Sequence, residues 1–260
     1  MDNPTIKIIR DFWDAVPCNS RHGKSPEGTA EYFNEVTEKR YFVESHIPNF
    51  ADFEKYKGLK VLEIGCGIGT DAEQFVRAGA EYTGIELSSK SLDLATKRFS
   101  LFNLPGTFIE GNAEELDAML GDEKFDLIYS FGVIHHSEFP ELIVEQMKNH
   151  LEPDGEIKVL LYAKNSWKNM MIDVGMAQPE AQDNCPKALT YSMNEVRTLF
   201  YEYEVNIEQT FVFPWKIPEY KNNEYVKEEM FEQMTDEQFS NFEKSLGWHL
   251  LIQGFLKGEK

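Results

Sequence analysis

Gly65-Cys66-Gly67-Ile68-Gly69 follows the apolar run Val61-Leu62-Glu63-Ile64 with no spacer. Glycine lets the main chain approach a ligand where a Cβ would clash, so a turn of this kind after a buried strand brings peptide N–H groups against polar or charged atoms. Glu63 lies at the strand end just before the first glycine, where a buried carboxylate needs a partner. It can orient the N–H groups of the turn and attract an ammonium or sulfonium group. Glu86 ends the next apolar run and can accept both hydroxyls of a ribose. Asn112-Ala113 follows a third run, where a short amide side chain and a backbone N–H can recognise the edge of an adenine. Cys66 reads as a small packing residue of the turn and not as a nucleophile. A dinucleotide fingerprint, GxGxxG, would place its third glycine at position 70, where this chain has Thr70.

A second set of residues with chemical potential closes a fourth run: Ser130-Phe131-Gly132-Val133-Ile134-His135-His136. An imidazole titrates near neutral pH, so His135 is the candidate general base. The alternative is that it only positions a ligand or caps a helical turn. His136 reads as structural. The paired histidines raise the thought of a metal, but no third ligand stands at a recognisable spacing, so no metal is expected.

These residues need elements to hold them. Short apolar runs alternate with segments of helical period, the pattern of a largely parallel sheet covered on both faces. Strands are predicted at 60–64, 81–86, 106–110, 125–130, 155–162, 204–213 and 248–256. Thr70 or Asp71 is expected to cap a helix that runs to Ala78 and stops at Gly79. Ser88 opens another, Pro140 sits in the first turn of a third, and Ser192 with Glu195 and Thr235 with Gln238 form capping boxes. Two stretches stand outside this rhythm: 1–58, rich in aromatic residues, and 163–190, with Trp167 and a group of methionines. Long loops in a compact domain are usually functional, so both are read as parts of one acceptor pocket.

With those residues and elements set out, the chain resembles the class I S-adenosylmethionine-dependent methyltransferases, in the broad group of ubiquinone/menaquinone-type small-molecule enzymes. Residues 63–69 are similar to that family's first motif, 84–88 to its ribose motif and 111–116 to its adenine motif. Residues 125–137 and 151–162 are similar to the segments around its fourth and fifth strands. The resemblance implies an α/β, doubly wound, seven-stranded and mostly parallel sheet of Rossmann-like methyltransferase type. The implied strand order is 3-2-1-4-5-7-6 with the seventh strand antiparallel. An N-terminal lid would occupy 1–58, and a domain over 59–260 would carry the insert at about 163–190.

The resemblance also implies S-adenosyl-L-methionine as cofactor and methyl transfer to a small-molecule acceptor by in-line displacement. The cofactor's methionine end would lie at Glu63, Gly65, Cys66, Gly67, Gly69, Thr70 and Asp71, its ribose at Glu86 and Leu87, and its adenine at Asn112, Ala113 and Glu114. Asn112 stands where the family more often has Asp. Ser130 and Phe131 would complete the cofactor site, and Arg40 and Tyr41 would reach the methionine carboxylate, form a surface ion pair, or close over the site. Trp13, Arg21, Tyr32, His136, Trp167 and Tyr191 are candidates for the acceptor pocket. The family's NPPY-type motif, associated with amide or nucleobase nitrogen acceptors, is absent. An NAD-type dehydrogenase and a non-catalytic cofactor-binding module or subunit remain the alternatives.

The composition narrows the partners. There are 26 Lys plus Arg against 45 Asp plus Glu, a formal net charge of −19. Such a field repels nucleic acid and anionic membrane surfaces, so neither is an expected partner. The three cysteines are scattered and odd in number, and no apolar run approaches membrane-spanning length, so a cytoplasmic protein is expected. The sequence carries no signal of oligomeric state.

Overall fold

The computed structural model describes residues 4–180 and 184–258. Residues 1–3 of the expected lid, 181–183 of the expected insert and 259–260 lie outside them. In chain order the elements are α1 (Pro4–Ala15), α2 (Ala30–Val43), α3 (Ile47–Ala51), β1 (Lys60–Ile64), α4 (Thr70–Ala78), β2 (Glu81–Glu86), α5 (Ser89–Phe102), β3 (Thr107–Glu110) and α6 (Leu116–Leu120). They continue with β4 (Phe125–Phe131), α7 (Pro140–Asn149), β5 (Leu151–Ala163), α8 (Trp167–Asp173), β6 (Thr190–Tyr191), α9 (Met193–Leu199) and β7 (Tyr203–Thr210). The chain finishes with α10 (Ile217–Lys221), α11 (Glu229–Glu232), α12 (Asp236–Leu246) and β8 (His249–Leu256).

One sheet contains every strand, in the order β3-β2-β1-β4-β5-β8-β7, with the two-residue β6 beside the end of β5. β8 runs antiparallel to both neighbours, and the remaining pairs are parallel. This is the expected order with one short strand added. Successive side chains of a strand leave on opposite faces. Accordingly Leu62, Ile64 and Ile128 pack into a core with α6, α7 and α9, while Val61, Leu127 and Tyr129 pack into a second core with Phe75 of α4. The strand order reverses between β1 and β4, and an open α/β sheet has its natural crevice at such a reversal, beyond the strands' carboxyl ends.

Several boundaries differ from expectation for local reasons. Gly69, in the left-handed conformation, caps α4 in place of Thr70 or Asp71; the Thr70 hydroxyl accepts from Arg98 instead. β5 starts at Leu151, which pairs with Phe125 ahead of a bulge. β7 stops at Thr210 because Phe211 turns to φ 71°. Both capping boxes form as expected. Residues 4–58, part of a stretch read as a long loop, are mainly helical: Thr29 caps α2, which buries Tyr32, Phe33 and Val36 at helical spacing. Among the described residues no helix is long and apolar enough to cross a membrane.

Arg98 of α5, fully buried, ties the N-terminal helices to the sheet domain. Its guanidinium donates to the carbonyl of Phe33 at 2.7 Å, to Thr37 Oγ1 at 3.0 Å and to Thr70 Oγ1 at 2.7 Å, with Glu73 Oε2 at 3.3 Å. Removing one side of a buried charge network leaves the other side uncompensated. Arg98→Ala should therefore lower unfolding stability by about 3–5 kcal/mol in a urea titration. A loss under about 1 kcal/mol would show that α2 docks without this guanidinium.

Candidate active site

The carboxyl ends of β1 to β4 open on a cleft of about 1540 Å³. Its floor is the turn between β1 and α4, where Gly65, Gly67 and Gly69 all have positive φ. A Cβ on Gly65 would stand 2.2 Å from Val133 Cγ2, so only glycine fits there; one on Gly67 would meet nothing within 4 Å, and Gly67 lines the cleft. Gly69 lies outside the lining and approaches Ala95 of α5.

Glu86, 9% exposed, braces this turn. One carboxylate oxygen accepts from the Gly67 N–H at 2.8 Å and the other from the Ser88 N–H at 2.8 Å. Burial pushes its pKa up against the pull of those donors. The turn-orienting role expected of Glu63 thus belongs to Glu86, and the reason is register: Glu86 ends β2 beside the turn. Glu63 instead accepts the Tyr82 hydroxyl at 2.6 Å. Burial first, then the neighbouring Asp71, pushes its pKa up to about 8, so the acid facing the cleft carries its proton through much of the neutral range.

Asp71, in the first turn of α4, collects three donors: Arg40 at 2.9 Å, the Tyr41 hydroxyl at 2.9 Å and the Tyr129 hydroxyl at 3.1 Å. Arg40 and Asp71 line the cleft, whereas Tyr41 stands behind them. The ion pair is interior, not at the surface. Leu87, Asn112, Ala113 and Glu114 line the neighbouring wall, and Phe131 the far one. Asn112 turns its side-chain oxygen to the Glu114 N–H at 3.1 Å. Glu114 accepts from the Ser137 hydroxyl at 2.5 Å and so joins the loops after β3 and β4.

The outer walls come from distant parts of the chain. Trp13 of α1 meets His136 edge-on, with ring centroids 5.2 Å apart, and Arg21 follows in the next turn. Trp167, Lys168 and Glu180 come from the segment after β5. His136 lines the cleft, and its Nδ1 lies 2.6 Å from the Lys187 carbonyl. A wall that the sequence reading missed is the segment after β7, with Phe211, Phe213, Trp215 and Tyr220. Its aromatic and proline run was the available signal. Lys39, Glu44 and Cys18 were also overlooked.

Other expected site residues lie elsewhere. His135 has no exposure and does not line the cleft. It lies against Tyr162 with ring centroids 3.8 Å apart, and burial, followed by His136, His249 and Lys168, pushes its pKa well below the ordinary value. A base expected to work from the cleft mouth is therefore behind the wall. Ser130 donates to the Ile64 carbonyl at 3.2 Å inside the sheet. The Tyr32 hydroxyl donates to the Ser20 carbonyl at 2.9 Å, and Tyr191 edges a separate, smaller depression beside Ser192 and Gln209.

Residues 61–155 match the family model described as methyltransferase domain. A ubiquinone biosynthesis O-methyltransferase of Actinobacillus pleuropneumoniae is 34% identical over 101 residues, 38% of this chain and 43% of that protein. A tRNA U34 carboxymethyltransferase of Hydrogenovibrio crunogenus is 36% identical over 104 residues, 39% of this chain and 31% of its own length. The match thus spans less than half of either relative. Among solved structures, the magnesium protoporphyrin IX methyltransferase of Synechocystis PCC 6803 aligns over 97% of this chain and all of its own, with a TM-score of 0.62 at 14% identity. The putative methyltransferase of Haloferax volcanii, solved with its Trm112 activator, covers 97% of this chain and 99% of its own, with a TM-score of 0.64 at 16% identity. These likenesses establish the fold as the Rossmann-like methyltransferase architecture.

The raised pKa of Glu63 has a consequence for stability. Its folded-state value of about 8 exceeds the ordinary 4.5, so the folded protein holds a proton that the unfolded chain releases. The stability from this group is full below pH 4.5 and is lost as pH rises towards 8. Relative to Glu63→Gln, the wild type should lose about 1 kcal/mol per pH unit across that window and level off above it, read from urea midpoints. Parallel pH profiles for the two proteins would refute the assignment.

Proposed function

We propose that this chain, whose residues 61–155 form a methyltransferase domain, binds S-adenosyl-L-methionine and transfers its methyl group to a small-molecule acceptor in the cytosol. The observation that carries this reading is the Glu86 carboxylate at the end of β2, braced by two backbone N–H groups beside a glycine turn that opens on the cleft. A carboxylate there has lone pairs left for vicinal ribose hydroxyls. The other groups fit the same cofactor. The glycine turn admits a close main-chain approach, and Glu63 offers an acid that a cationic group can strip of its proton. Arg40 supplies a cation for a carboxylate, and Asn112 with Ala113 an amide edge for a base.

When bound, the cofactor supplies an electrophilic methyl group on a sulfonium. The protein's part is then to align an acceptor with that group and to exclude water. The aromatic walls from α1, α8 and the segment after β7 provide an apolar enclosure over the donor edge. A small molecule is favoured over nucleic acid because the formal net charge of −19 opposes a polyanion, although one of the relatives is named for tRNA.

Isothermal calorimetry with S-adenosylhomocysteine should give one site per chain. Glu86→Ala should weaken that binding on the order of 100-fold, the scale of two hydrogen bonds to a charged acceptor. Binding of NADH with none of the homocysteine product would refute the reading in favour of a dehydrogenase. Binding that survives Glu86→Ala unchanged would remove the ribose role from this acid.

A further inference from the structure

Three side chains with metal-binding chemistry converge beside the acceptor half of the cleft. One ligand atom each from His135, His136 and Glu180 lies within 4.8 Å of the others. His135 is completely buried, and neither of its ring nitrogens has a hydrogen-bond partner. A buried polar group left unsatisfied is costly, so a fold that retains one in this position points to a ligand for it. His136 is held in the matching orientation. Its Nδ1 donates to the Lys187 carbonyl at 2.6 Å, which leaves Nε2 as the free lone pair, 3.5 Å from Glu180 Oε1. That carboxylate is in turn fixed by the Tyr162 hydroxyl, which donates to it at 2.7 Å. A ring nitrogen tied to a carbonyl and a carboxylate tied to a hydroxyl are the outer supports that metal ligands ordinarily carry.

We propose that His135, His136 and Glu180 bind one divalent transition-metal ion. Two imidazoles and a carboxylate suit Zn²⁺, Fe²⁺, Mn²⁺ or Co²⁺, whereas Mg²⁺ and Ca²⁺ prefer shells made of oxygen. Ligand bonds of roughly 2.0–2.2 Å require the three donor atoms to draw together when the ion binds. His136 and Glu180 line the cleft while His135 lies behind them, so the open side of the ion faces the cleft. A heteroatom of the acceptor can complete the coordination there, and a Lewis acid in that position lowers the acceptor's pKa. This catalytic use rests on the methyl-transfer reading; binding of the ion does not. The adjacent histidines were visible in the sequence, but the third ligand comes from a segment far along the chain.

The test is a titration of the chelator-treated protein with Co²⁺, followed by its visible d–d absorption. The expected result is one Co²⁺ per chain, displaced by Zn²⁺ and not by Mg²⁺. His136→Gln and Glu180→Gln should each weaken binding by at least about 30-fold, with melting curves taken on both variants to confirm folding. His135→Ala should do the same, and if it fails to fold, the two glutamine variants decide the matter. No stoichiometric Co²⁺ band in the wild type, or equal binding by both glutamine variants and the wild type, would overturn the proposal. Calorimetry with S-adenosylhomocysteine on the same preparation reads the donor site separately, so failure of one proposal is distinguishable from failure of the other.

Discussion

The cleft depends on two guanidinium groups that fasten α2 to the start of α4. Arg98 reaches from α5 to Thr70 and to the main chain of α2, while Arg40 of α2 itself pairs with Asp71. Thr70 and Asp71 are the first two residues after the glycine turn, so the helix over the cleft and the turn beneath it are fixed by the same contacts. Arg98 is fully buried and Arg40 largely so, and each has a carboxylate close by, Glu73 for Arg98 and Asp71 for Arg40. Removing either arginine would leave its carboxylate partner buried and uncompensated.

The same region concentrates acids in a protein that is already strongly acidic. Glu63 and Glu86 stand at the carboxyl ends of β1 and β2 and Asp71 in the first turn of α4, and the three are partnered in three different ways. Asp71 has an arginine and two tyrosine hydroxyls. Glu86 has two peptide donors. Glu63 has one tyrosine and its own proton, since burial and Asp71 disfavour its charge. A group that must hold a proton in the absence of a cation is a group that a cation can recharge. The least satisfied of the three acids therefore marks the spot on the donor edge best prepared for positive charge.

On the outer side of the cleft the walls come from four separated parts of the chain: α1 with the turn after it, α2, the segment with α8, and the segment after β7. These walls are rich in aromatic residues, and they meet a polar corner formed by His136, Glu180 and Tyr162. Under the proposed methyl transfer, the aromatic walls would set shape and exclude water, and the polar corner would set which heteroatom is held. That division explains how a donor edge resembling many proteins can serve an acceptor of its own.

The strand order was implied by a family resemblance; what the sequence by itself determined was the alternation of strands and helices and the residues at the strand ends. Those features are local: a glycine turn, an acid at the end of the next strand and a capped helix each declare themselves within a few residues, and their spacing fixes which strand ends they occupy. Even there, orientation was beyond reach. Glu63 and Glu86 exchanged the task of bracing the turn because that depends on register between β1 and β2, and Ser130 turned inward because strand alternation at the end of β4 placed it so. Only the tertiary structure decided the acceptor side. His135 and His136 are neighbours in the chain, yet the helical turn that carries them buries one and shows the other to the cleft. Tyr32 and Tyr191 had the right chemistry and the wrong direction, while the segment after β7 offered only an aromatic and proline run. A pocket assembled from distant segments is written in how helices pack and not in any one stretch of residues, so it could be read only once the chain was folded.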